Sequence, residues 1–257
     1  MKPRILERTV ASAGYLTVER LRLRLADGAE VSREIEQHGD AAAVLPYDCD
    51  RRCALVARLF RAPVLAASGA TFSEEACAGM IEIEDAAAAA RREAYEELGV
   101  ALTALEFIGR VWSSPGVSTE RQSLFLAPYR LSDRTGQGGG ARGEHEGITV
   151  VERPLAALAA AADRAEIADA KLFSLVQTLR LRRPELFAAA PDSRAASSGD
   201  VVDATRARVR GGETSSAIAQ EGRVGFGRRS WARTTAFYRQ RAWCWASPPR
   251  TGPGVDC

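Results

Sequence analysis

The sequence predicts an α+β domain over about residues 1–188, followed by a disordered tail. Three observations carry this. Apolar and polar residues alternate through Tyr15–Leu25 (Leu16, Val18, Leu21, Leu23, Leu25), the period of a half-buried strand. An alanine run, Ala86–Ala90, opens a helix-forming stretch that stops at Gly99, where a left-handed cap is expected. From Ala190 to Gly227 the chain is rich in Ser, Ala, Gly and Arg with little periodicity, as in disordered segments.

The remaining elements follow in order. Asp27-Gly28 is a hairpin turn, and Glu30–Glu36 is the returning strand. Ala41–Leu45 and Ala54–Phe60 are strands separated by the polar turn Asp48–Arg52. After the alanine-led helix, Leu105–Trp112 and Gln122–Tyr129 are strands, and Thr135–Gly147 is a Gly-rich charged loop. Ile148–Val151 is a short strand; Pro154–Ala162 and Ile167–Leu181 are helices, with Pro184 closing the second. This divides the chain into N-terminal strands (1–45), a main domain (46–188) and an Arg-rich tail (189–257).

Composition narrows the function. With 35 Lys and Arg against 33 Asp and Glu, the net charge of +2 gives no whole-chain field for nucleic acid. No stretch is long and apolar enough for a membrane span, and no signal-peptide core opens the chain, so a cytoplasmic protein is expected. The five cysteines form no Cys-x-x-Cys pair and read as reduced thiols, not zinc ligands. In the tail, Trp231, Trp243 and Trp245 stand among arginines, a composition that suits single-stranded nucleic acid or anionic lipid. The apolar residues there keep no helix or strand period, which favours an extension without a selected role.

The chemistry concentrates in one helical turn. Glu93, Glu96 and Glu97 stand at i, i+3 and i+4 and share one side of the helix. Like charges at that spacing repel, whereas a hard divalent cation turns the same cluster into a ligand set. Arg92 adjoins Glu93 and can hold a ligand carboxylate in place. The run Arg92-Glu93-Ala94-Tyr95-Glu96-Glu97-Leu98-Gly99-Val100 resembles the second half of the Nudix box, G-x5-E-x7-R-E-U-x-E-E-x-G-U, with U apolar. Counting back from Arg92 puts Glu84 at the first Glu of the box and Ala78, not Gly79, at its first Gly. The loop is one residue shorter than the pattern, which leaves Glu84 and Asp85 as alternatives for that acid. The branch that hydrolyses GDP-mannose and related nucleotide sugars is similar in this contraction.

The resemblance covers about residues 10–185. It implies a Nudix fold, an α/β/α sandwich with a mixed sheet, and Mg2+ (or Mn2+) held by Glu93, Glu96, Glu97, the Ala78 carbonyl and Glu146. Gly138-Gly139-Gly140 precedes Glu144, His145 and Glu146 in a pattern similar to the same branch, and reads as a loop with glycine hinges. Glu146 is then the catalytic acid of first choice and Glu144 the second, beside Glu97 and Arg92. Arg61, in Arg58-Leu59-Phe60-Arg61, is implied to reach the phosphates, with a planar fork that suits two phosphate oxygens. Glu120, in Ser114-Pro115-Gly116-Val117-Ser118-Thr119-Glu120, and Lys171, in Ile167–Lys171, are further substrate-binding candidates. Tyr15, Arg33 and Glu34 are implied to approach the site of a neighbouring subunit, because the branch forms homodimers with exchanged N-terminal strands.

The reading is therefore a Mg2+-dependent pyrophosphatase splitting a small nucleoside diphosphate sugar, ADP-ribose or GDP-mannose first, into nucleoside monophosphate and sugar phosphate. A nucleotide-sugar sensor that does not cleave, and an enzyme of RNA ends, are the alternatives.

Overall fold

The structure is a computed structural model and describes residues 1–140 and 147–188. The expected disorder of the tail, and the expected roles of Glu144 and Glu146, fall outside these residues.

Strands β1 (Arg4–Ala13), β2 (Thr17–Arg24) and β3 (Glu30–Gln37) form a separate antiparallel sheet. The β2–β3 turn is at Asp27-Gly28 as expected, with Gly28 at φ 91°, a conformation glycine adopts without strain. Strand β1 was not legible in the sequence. Nearly all of it is exposed, so neither face imposes an apolar alternation. Among the residues of these strands only Leu21 is buried.

The second sheet is mixed. Its strands run in the order β10-β5-β4-β9-β8: β10 is Thr149–Pro154, β5 Cys53–Leu59, β4 Ala41–Asp48, β9 Arg121–Pro128 and β8 Glu106–Trp112. The pair β4–β9 is parallel and the other neighbours antiparallel. β4 pairs with β5 only at Tyr47–Ala54 and Asp48–Cys53. Beyond that the hairpin splays, and short β6 (Ser73–Glu75) and β7 (Cys77–Met80) fill the opening by pairing with β5 and β4.

That gap explains why β4 runs past the expected end at Leu45. Pro46 lies between the β7 pairing at 41–44 and the β5 pairing at 47–48, where its missing N–H interrupts no ladder on that side. The whole strand belongs to the larger sheet, so the change of sheet comes at residues 38–40, ahead of the expected 45/46 division.

Side chains alternate across β4. Ala42 and Val44 face helix α2 (Ala86–Leu98) in one core with Leu55, Ala94 and Leu98; Ala43 and Leu45 face α3 (Leu155–Asp163) and α4 (Ala170–Arg182) in another with Leu158, Leu175 and Leu179. The result is the expected α/β/α sandwich. One further helix, α1 (Ala62–Ser68), buries none of its residues.

Candidate active site

Helix α2 is set by local chemistry. Asp85 caps its N-terminus by accepting from Ala88 N at 2.8 Å, and Gly99 ends it in the left-handed region at φ 68°. Its alanine face packs on the sheet beside β7. On that packed side Glu97 is only 4% exposed and accepts a hydrogen bond from Ala78 N at 3.2 Å. Glu93 lies over Gly79, where a β-carbon would stand 1.8 Å from its Oε1. The absence of a side chain at Gly79 lets this carboxylate close on the strand.

Arg92 binds the acids together. Its Nη1 donates to Glu93 Oε1 at 2.7 Å and to Glu96 Oε2 at 3.1 Å; Nε and Nη2 donate to Glu84 Oε1 at 3.0 and 2.9 Å, and Nη2 also to Met80 O at 2.9 Å. Burial works to lower the Arg92 pKa, but the surrounding carboxylates outweigh it and hold the guanidinium firmly protonated. The Glu84 carboxyl is held below its ordinary value, first by a backbone N–H and then by Arg92. The two alternatives left open by the short loop thus occupy different places: Asp85 caps the helix and Glu84 pairs with Arg92.

Among the described residues, no three His, Cys, Asp or Glu side chains converge as a metal-holding group. Glu93 and Glu96 both turn to Arg92, and Glu97 to Ala78 N. The donor chemistry nevertheless fits a hard divalent cation, since carboxylate oxygens lie against the Ala78–Gly79 backbone in the gap the glycine leaves.

A second charged group lies on β6, the strand that precedes β7. Glu75, buried on β6, accepts from Arg61 Nε at 3.0 Å and Nη2 at 3.1 Å, with Lys171 Nζ at 3.5 Å. Lys171 also donates to Asp169 at 2.8 Å. Asp169 caps α4 and accepts from Ala76 N at 3.0 Å. Burial pushes the Glu75 pKa up, yet Arg61 and Lys171 reverse this and keep it ionised; for Lys171, burial is likewise outweighed by Asp169 and Glu75. The structure therefore brings Arg61 and Lys171 together. Glu75 and Asp169, which join them, were missed: Glu75 is 96 residues from Lys171, and Asp169, though two residues from Lys171, shows its role only through Ala76, 93 residues away.

The Ser114–Glu120 loop docks on the end of β3: Glu36 N donates to Val117 O at 2.7 Å, Thr119 N to Glu36 O at 3.0 Å and His38 N to Thr119 Oγ1 at 2.8 Å. Glu120 accepts from Gln122 at 3.2 Å. Tyr15, Arg33 and Glu34 stand apart on the N-terminal sheet, Tyr15 fully exposed, Arg33 on Ser32 O and Glu34 on Arg20. The described glycines of the 135–147 loop close on the end of α2. Gly139 N and Gly140 N donate to the carbonyls of Glu97 and Glu96 at 2.8 and 3.0 Å, and satisfy helix-end acceptors. A β-carbon at Gly138 would meet Glu97 O at 2.5 Å.

A cavity of about 540 Å3, lined by Phe72, Glu74, Arg153, Leu158, Ile167 and Leu172 among others, contains none of the α2 acids, and its Glu74 and Arg153 pair with each other. Among the described residues, no helix is long and apolar enough to cross a membrane.

Comparison with known proteins agrees with this fold. A family model described as NUDIX domain matches residues 37–190. A GDP-mannose pyrophosphatase of Cronobacter sakazakii is 33% identical over 178 residues, which is 67% of this chain and 92% of that protein. One of Pectobacterium atrosepticum is 34% identical over 151 residues, 58% of this chain and 77% of the relative. Among solved structures, an ADP compounds hydrolase superposes with a TM-score of 0.59 at 20% identity, over 72% of this chain and 96% of the other; this likeness is one of fold.

Proposed function

The chain belongs to the NUDIX family and is a Nudix hydrolase, and from that premise we propose that it splits the diphosphate of a nucleoside diphosphate sugar, GDP-mannose or ADP-ribose first. Water adds to one phosphorus and the bridging oxygen leaves with the other. The products are a nucleoside monophosphate and a sugar phosphate.

One observation carries this reading: the Arg92-centred acid cluster set against Ala78 and Gly79. Glu93, Glu97, Glu96 and the Ala78 carbonyl, with Glu146 from the loop, are the proposed ligands of Mg2+, or of Mn2+ in its place. When bound, the cation supplies neutralisation of the diphosphate charge and acidification of a water. Arg92 keeps Glu93 and Glu96 from repelling each other. Arg61 and Lys171 meet phosphate oxygens, and Glu120 positions the substrate. The base is assigned from the sequence to Glu146, or else Glu144.

We also propose a homodimer. In the pairing register Ile5, Leu23, Val31, Leu21, Val10 and Ile35 share one face of the N-terminal sheet with Arg33 and the Arg8–Glu19 ion pair, and Ile5 and Val10 are exposed. Salt bridges of Arg20 with Glu34 and of Arg22 with Glu7 and Glu30 occupy the opposite face. Small sheets need a covered apolar face to be stable. A second copy would cover it and bring Tyr15, Arg33 and Glu34 to the neighbour's site.

Incubating the full chain with Mg2+ and a panel of nucleotide sugars, with products separated by chromatography, tests the reaction. GMP and mannose phosphate from GDP-mannose, or AMP and ribose phosphate from ADP-ribose, are the expected products. An intact panel alongside cleavage of RNA ends would replace the proposal.

A further inference from the structure

We propose that Glu75 is a positioning residue: its carboxylate aims the Arg61 guanidinium and gathers the Lys171 ammonium beside it, so that affinity for the diphosphate depends on it. The identity of the ligand rests on the reaction proposed above; the arrangement rests on the structure alone.

Arg61 is the N-cap residue of α1, a helix with no buried residue, so packing of that helix does little to fix its direction. What fixes it is the Glu75 carboxylate, which takes Nε at 3.0 Å and Nη2 at 3.1 Å. A two-point pair of this kind sets the plane of the guanidinium as well as its distance. The Glu75 side chain is 9% exposed and Lys171 14%. A buried ion group is weak evidence for stability, because a well-packed apolar group serves as well or better. A cation held in a buried group does, however, stay charged and oriented where an anion is to be gripped.

The location fits that purpose. Ala76 N is tied to Asp169, which holds Lys171, and Ala78 N is tied to Glu97. Glu75 and Ala78 are three residues apart along β6 and β7, about 10 Å in extended chain. The cation pair and the acid pair are thereby tied to two short strands that follow one another in the chain, β6 and β7. Glu75→Gln keeps the shape but removes the charge and one acceptor, so Arg61 loses its two-point alignment.

The test uses the full chain with Mg2+, GDP as a diphosphate probe in calorimetry, and GDP-mannose in steady-state kinetics. Glu75→Gln is expected to fold with an unchanged circular dichroism spectrum, and to raise both the Kd for GDP and the KM by about tenfold or more, with kcat within about threefold. In an Arg61→Ala/Lys171→Met background the same change should shift the Kd by less than about twofold, because a residue acting through those cations has nothing left to act on. Glu75→Asp, charged but shorter, should fall between wild type and Glu75→Gln, and serves alone if the latter does not fold. An unchanged or lower Kd for GDP in Glu75→Gln overturns the inference, as does an equal loss in both backgrounds. If the wild type binds GDP yet hydrolyses no nucleotide sugar, the proposed reaction fails while the GDP comparison still decides the role of Glu75. A wild type that binds no GDP overturns both.

Discussion

The Glu93 carboxylate occupies the space that a side chain at Gly79 would need: a β-carbon there would lie 1.8 Å from Oε1 and 2.0 Å from Cδ. The clashing atoms are the end of a flexible side chain, so Gly79→Ala can be relieved by moving Glu93 without moving the backbone. The protein should fold, with a melting temperature near that of the wild type. Its Glu93 would be displaced from the strand, and turnover should fall by about tenfold or more. A Mg2+ titration of activity is the check. Unchanged activity at an unchanged Mg2+ midpoint would show that the contact has no catalytic consequence.

Glu97 is buried and receives the Ala78 N–H. Glu97→Gln keeps an acceptor for that bond and the same volume, so folding should survive. What goes is a negative charge beside the proposed cation, and turnover should drop by about 10²–10³-fold, typical of losing one electrostatic contact to the reacting group. Stripping divalent cations with EDTA should abolish wild-type turnover, and Mg2+ or Mn2+ should restore it. Glu97→Gln with wild-type kcat would remove this helix from the mechanism.

How far the sequence could be read depended on how local the cause was. Helix α2 was legible because its alanine run, its acids at i, i+3 and i+4 and its Gly99 cap all lie within about fifteen residues. Strands β6 and β7 were not, since three- and four-residue strands exist only by pairing with β5 and β4. The expected strand Ala41–Leu45 stops short of the observed end at Asp48, and only the splayed hairpin shows why Pro46 is tolerated within it. Arg61 and Lys171 could be picked singly by resemblance. Their joining through Glu75 required the fold, which alone brings residues 61, 75 and 171 together.

Glu75 also makes a pH prediction. Its pKa in the folded protein lies below the ordinary value: burial alone would raise it, and Arg61 and Lys171 more than reverse that. A depressed carboxyl contributes stability that is fully present above its unfolded pKa and lost as pH falls through the folded one. The gap in denaturation midpoint between wild type and Glu75→Gln should therefore be constant near neutrality and should narrow below about pH 4. A gap that widens on acidification would mean that the carboxyl is not ionised in the fold.

The N-terminal sheet gives the last prediction. Val10 is exposed and lies opposite Glu19, on the face that also carries Ile5, Leu21 and Leu23. Val10→Lys would place an ammonium across from Glu19, which already accepts from Arg8 and Gln37, and so add a further cation to this face. Two copies joined through this face would have to bury that ammonium, which opposes association. Light scattering at micromolar concentration should find a dimer for the wild type and a smaller mean mass for Val10→Lys/Ile5→Lys, with circular dichroism unchanged. Turnover should fall with the dimer if Tyr15, Arg33 and Glu34 act in the neighbour's site, and it should recover as protein concentration rises. A wild type that is monomeric at full activity would remove both the dimer and the roles proposed for those three residues.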